Sequence, residues 1–114
     1  FDLAVKRADT TNPHIRQQIS RLEGGYRVGR LLVYREVLQQ APQGFSAATK
    51  CFCTEHEWRV AQFVSDILGM ESTLQSKEAH GIMYASAYTI MGGTSNIMRN
   101  ILGERVLGLA REPR

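Results

Sequence analysis

A chain of 114 residues fits one domain and, on size scaling, buries roughly two-thirds of the surface that its unfolded form exposes. Its 14 lysines and arginines against 11 acidic residues give a net charge of +3 without any basic run, a balance that fits an anionic ligand or an ordinary solvated surface and gives nucleic-acid binding no support. No apolar run approaches the roughly 18 to 20 residues of a membrane span and no secretory-type leader precedes the first element, so the expectation is a soluble protein of the cytoplasm or another reducing compartment.

The chain opens on Phe1 without an initiator Met, and its first eight residues are short and mixed, so residues 1–114 read as one domain cut from a longer protein. In Asp9-Thr10-Thr11-Asn12-Pro13, Asn12 suits a helix cap and Pro13 a first helical position. Ile15, Ile19, Leu22, Tyr26, Val33 and Val37 follow three-and-four spacing and predict a helix to about Gln40. Gly24-Gly25 inside it costs roughly 1 kcal/mol per glycine relative to alanine, which calls for close approach of a neighbouring helix. Ala41-Pro42-Gln43-Gly44 ends the element.

Ser46 is the expected cap of the next helix, whose apolar stripe runs through Trp58, Ala61, Val64, Ile67 and Leu68 until Gly69 stops it. Met70 to Lys77 reads as a loop. Glu78 to Met91 is helix-compatible, with Ile82, Met83, Ala85 and Tyr88 expected to face inward and the diglycine Gly92-Gly93 breaking it. Thr94 or Ser95 can cap a last helix that buries Ile97, Met98, Ile101 and Val106 and is bracketed by Gly108 and Pro113. No strand pattern competes, so the predicted fold is all-α: an antiparallel, up-and-down type bundle of four to five helices.

Cys51 and Cys53 are the only cysteines; two apart on a helix, their side chains diverge and read as reduced thiols. His56-Glu57 looks like half of a helical zinc motif, but the position four residues after His56 is Val60, so no metal site is expected and His56 is placed on the polar face. Met70, Met83, Met91 and Met98 are soft enough to line a ligand pocket and equally suited to filling a core. The turn at Gly92-Gly93-Thr94-Ser95 admits two readings on physics alone: a backbone that approaches an anion ahead of a helix start, or a plain left-handed stop followed by a capped helix.

The run Gly92-Gly93-Thr94-Ser95-Asn96-Ile97-Met98-Arg99 with Gly103-Glu104-Arg105-Val106-Leu107-Gly108-Leu109 resembles the C-terminal signature of acyl-CoA dehydrogenases. Arg16-Gln17, Ala48-Thr49-Lys50 and Thr54-Glu55 are similar to that family's helix starts. The resemblance covers nearly the whole chain and is densest in its last quarter. It implies a flavoprotein of lipid metabolism and fatty acid β-oxidation, in which an N-terminal helical domain and a β domain precede this bundle and FAD sits between domains and across a subunit interface. It also implies a homo- or hetero-oligomer, dimer or tetramer, with electron-transfer flavoprotein as redox partner. The reaction that the resemblance implies is α,β-dehydrogenation of an acyl-CoA thioester, its acyl part fatty or steroid: a carboxylate takes the α-proton while hydride leaves the β-carbon for the flavin.

Carried across, Gly92 and Gly93 border the thioester, Thr94, Ser95 and Asn96 contact FAD, and Gly69 belongs to a stretch that reaches the neighbouring subunit's flavin. This chain departs from the pattern where chemistry is concentrated. One branch of the family places its catalytic glutamate directly before Gly-Thr, at the position of Gly92; Asn96 stands where an acidic residue is frequent; and of a glutamine followed by a glycine pair only Gly69 survives, within Asp66-Ile67-Leu68-Gly69-Met70. The Arg-Phe-Gly motif before the first long helix has no counterpart around Thr11-Asn12-Pro13. The expectation is therefore an isolated chain without activity, its base lying upstream of Phe1 or on another subunit. The alternative is a non-catalytic assembly module of a degenerate subunit.

Overall fold

The computed structural model describes residues 1–111, which form five α-helices and no strand. Helix α1 spans Asp2–Arg7, α2 Pro13–Val37, α3 Ser46–Leu68, α4 Lys77–Tyr88 and α5 Ser95–Ile101. A 3-10 turn, Gly69–Thr73, follows α3, and a wider π turn, Leu102–Val106, follows α5. The all-α bundle expected from periodicity is what forms.

Local chemistry explains most of the boundaries. The Asn12 side chain accepts the His14 N–H at 2.9 Å and Pro13 occupies the first helical position, satisfying one orphan donor where a missing N–H costs nothing. Gly69 closes α3 at φ +54, a conformation that penalises a side chain. Ser76 and Thr94 cap α4 and α5 through Ala79 and Ile97 N–H groups. Some boundaries depart from the expectation. The cap position of α3 is Phe45, with Ser46 already inside the helix and making no cap bond. Helix α2 stops at Val37 instead of Gln40, where Gln39 takes φ +56. Helix α4 ends at Tyr88, before the diglycine, because Ile90 and Met91 N–H groups both turn back to the Ala87 carbonyl. The last helix widens after Ile101, with Leu107 N–H bonding the Leu102 carbonyl at 3.0 Å. Pro113 lies outside the described residues.

Helix α3 is the axis on which α1, α2, α4 and α5 all pack. Against α2 the register is antiparallel: Gly25 meets His56 and Gly29 meets Cys53, and Thr49 donates to Glu36. Against α5 it is parallel, Cys51 facing Ser95 and Glu55 pairing with Arg99. The core gathers Ala4, Leu22, Phe63 and Val64, with Ile15, Ile19, Val60, Ile67 and Ile82 against them. It therefore fills the end of the bundle formed by α1, the first half of α2 and the second half of α3. The opposite end is open, and several residues expected inside face solvent instead: Met83 is 67% exposed and Ile97 51%, with Tyr26, Val33, Val37, Trp58 and Tyr88 exposed as well. Only Ala85 of the expected inward set on α4 is fully buried, at 1%.

Candidate functional site

The turn between α4 and α5 is assembled at the N-terminal end of α3, away from the core. Gly92 and Gly93 take φ +68 and +104, values that L side chains avoid. The two glycines differ in their surroundings. A Cβ at Gly92 would meet no atom within 4 Å, whereas one at Gly93 would collide with the Met98 methyl. Gly92 thus lies against open space and Gly93 against the Met98 thioether.

Helix α3 holds the turn from behind. The Lys50 ammonium donates to the Gly93 carbonyl at 2.6 Å, the Cys51 thiol to the Ser95 carbonyl at 3.5 Å, and Arg99 pairs with Glu55. The turn is closed internally by Ser95 N–H on the Thr89 carbonyl at 3.0 Å and by the Thr94 hydroxyl accepting Ile97 N–H at 3.3 Å. Among the described residues, the N–H groups of Gly92, Gly93 and Thr94 donate to no protein acceptor. Successive unpaired amides on a glycine-permitted backbone can satisfy an acceptor oxygen or nitrogen that approaches from the open side.

The residues singled out from sequence are only partly brought together. Gly92, Gly93, Thr94, Ser95 and Asn96 share the turn; Thr94 and Asn96 are exposed, while half-buried Ser95 aims its hydroxyl at the Thr89 carbonyl. Gly69 closes the other end of α3, about 27 Å from Cys51 at the helical rise, so within one chain it shares no site with the turn. Asp66 lines a groove of about 450 Å³ with Arg21, Arg59 and Phe63, also remote from the turn. The sequence reading missed Lys50 as a contact of the turn; a lysine on the first turns of a helix carries no signal of the carbonyl that it will reach 43 residues later.

The α2–α3 seam corrects two expectations. His56 is not on a polar face: its ring lies over Gly25, where a Cβ would stand 2.5 Å from the imidazole, and stacks on Phe52. Burial, and then the charge of Arg59, hold the imidazole below its ordinary value, and its Nε2 is buried with no partner among the described residues. The close approach expected at Gly24-Gly25 occurs at Gly25, and again at Gly29, where a Cβ would stand 3.3 Å from Cys53 Sγ, but not at Gly24, which faces open space. Both cysteines are free. Burial pushes the Cys53 thiol up, with Glu36 and Glu57 adding to it, which makes it a poor nucleophile.

Residues 4–107 match the family model described as acyl-CoA dehydrogenase, C-terminal domain. Two curated relatives bear the name acyl-CoA dehydrogenase IpdE1. The protein of Mycobacterium tuberculosis (strain ATCC 25618 / H37Rv) is 29% identical over 118 residues, covering 97% of this chain and 31% of the relative. That of Mycolicibacterium smegmatis (strain ATCC 700084 / mc(2)155) is 28% identical over 116 residues, covering 97% and 29%. The chain thus spans about three-tenths of the length of these relatives. No solved structure matches this chain significantly. With a family model running almost from end to end over a helical bundle whose glycine turn stands where the signature placed it, the chain belongs to the acyl-CoA dehydrogenase family and carries its C-terminal domain.

Proposed function

We propose that this chain is the C-terminal domain of an FAD-dependent acyl-CoA dehydrogenase and supplies one wall of the flavin and thioester site. The turn at Gly92–Asn96 is that wall, and the exposed apolar faces of α2 and α4 are surfaces for docking on the rest of the protein and on other subunits. The observation that carries this reading is the family match over residues 4–107 combined with a turn whose Gly92, Gly93 and Thr94 N–H groups face no acceptor of their own. Those groups fit the acceptor atoms of a thioester carbonyl or a flavin. Thr94 and Asn96, both exposed, add polar side chains beside them. FAD, when bound, supplies the hydride acceptor. The protein's part at this turn is to orient the thioester and to stabilise charge developing on its carbonyl oxygen through backbone N–H groups.

This turn does not supply the base. Gly92–Asn96 carries no carboxylate, and Glu55, the acid that reaches α5, is committed to Arg99. The α-proton is therefore taken by a carboxylate from elsewhere in the assembled enzyme. The complete protein, purified with any partner subunit, should carry visible flavin absorbance that bleaches anaerobically on adding a saturated acyl-CoA. Flavin without bleaching would leave a binding subunit; neither flavin nor bleaching would leave the second reading, an assembly module, which the missing carboxylates at Gly92 and Asn96 favour.

A further inference from the structure

Lys50 sits on the first turns of α3, half-buried, with its ammonium 2.6 Å from the Gly93 carbonyl. A charge-assisted bond of this length belongs to the strong class of protein hydrogen bonds. Its consequence follows from the planarity of the next peptide. Among the described residues no peptide bond is cis, so the Gly93 carbonyl and the Thr94 N–H lie in one rigid plane and point in opposite directions. With the carbonyl drawn down onto α3, the Thr94 N–H is turned away from α3. That same N–H has no acceptor among the described residues. The ammonium also polarises the peptide through which it acts, making the Thr94 N–H a better donor, as successive hydrogen bonds in a chain strengthen one another.

We propose that Lys50 is the positioning residue of the diglycine turn: by anchoring the Gly93 carbonyl it aims and polarises the Thr94 N–H for a ligand's acceptor atom. Glycine has no side chain to fix this orientation at φ +104, and the Met98 thioether restrains it only by contact. Cys51 and Arg99 grip the turn beyond Ser95, so they fix where α5 begins and not how the Gly93–Thr94 peptide is rotated. The functional meaning rests on the reading of the turn as a thioester-facing wall; the clamp itself does not.

The test uses the complete protein with Lys50→Met, which keeps the aliphatic stem, and Lys50→Arg, which keeps a charged donor. Peptide-resolved hydrogen exchange without ligand should show the segment Thr89–Ile97 exchanging about tenfold faster in Lys50→Met, the loss expected for one charge-assisted bond. The segment covering α3 should stay unchanged, and Lys50→Arg should restore most of the protection. In the same samples, affinity for an acyl-CoA should fall in Lys50→Met and recover in Lys50→Arg, while free coenzyme A, which lacks the thioester carbonyl, should bind all three alike. Unchanged exchange at the turn, or equal loosening of α3, overturns the clamp. A loosened turn in a protein whose wild type binds no acyl-CoA upholds the clamp and sinks the thioester reading instead.

Discussion

At the scale of residues, the two glycines of the turn carry different constraints and should respond differently to the same change. Gly92→Ala meets only the backbone strain of φ +68, since no atom stands within 4 Å, and should cost about 1 kcal/mol. Gly93→Ala adds displacement of the flexible end of Met98 to the strain at φ +104 and should cost about 2 kcal/mol. Denaturant midpoints of the two variants check the order; equal losses would show that Met98 does not pin the turn. The presence of this turn was legible in the residues, because Gly-Gly followed by Thr-Ser has few other uses than a left-handed stop and a cap. Which amides it leaves unpaired was not legible. That depends on Lys50 and Thr89, whose reach is set by tertiary packing.

At the scale of elements, the α2–α3 seam is where a helix was correctly read to approach α2 closely but the particular glycine was not resolved. Phase along a helix changes by 100° per residue, so adjacent glycines face different neighbours: Gly24 open space, Gly25 the His56 ring. Gly24→Ala should stabilise the chain by about 1 kcal/mol through helix propensity alone. Gly25→Ala should destabilise it by about 2 kcal/mol by prising α2 from α3. Thermal melts of the pair decide the assignment, and a stabilised Gly25→Ala would contradict it.

The same seam sets a pH dependence. Unfolded histidine titrates near 6.5 and His56 in the fold lies below that, so between the two values the unfolded chain holds more protons. Stability should decline as pH falls through about 6.5 and level off below the folded value, and His56→Leu should flatten that decline. Melting temperatures across this range, with no difference between wild type and variant, would rule His56 out as the cause. Helix ends were read well where a cap or a glycine marks them, at Asn12 and Gly69. They were read poorly at Ser46 and Tyr88, where the chain leaves or enters the helix without a side-chain cap bond.

At the scale of the molecule, the apolar periodicity found the helices but could not say what covers them. A free-standing domain of this length has a radius of gyration of about 13 Å, and this bundle has 16.7 Å with extents of 48 × 28 × 23 Å. Its accessible surface is 8361 Å², about 2,000 Å² more than a monomer of its mass exposes on average. That excess exceeds one side of a standard protein interface, about 800 Å². The apolar residues that contribute, such as Val37 at 74% exposure and Leu38 at 64%, are the surface that the proposed docking on the rest of the protein would cover. Val37→Glu should therefore leave the stability of the isolated bundle within about 0.5 kcal/mol yet weaken assembly of the complete protein, visible as lighter species in sedimentation. Among the described residues no helix is long and apolar enough to cross a membrane.

The proposed placement of the diglycine turn against the thioester is read directly by amide exchange in the complete protein. Adding a saturated acyl-CoA should slow the amides of Gly92, Gly93 and Thr94 by about tenfold as they gain an acceptor, with little change at the polar groove beside Arg21 and Asp66. Protection confined to other segments, with Gly92–Thr94 exchanging as fast as before, would contradict the account.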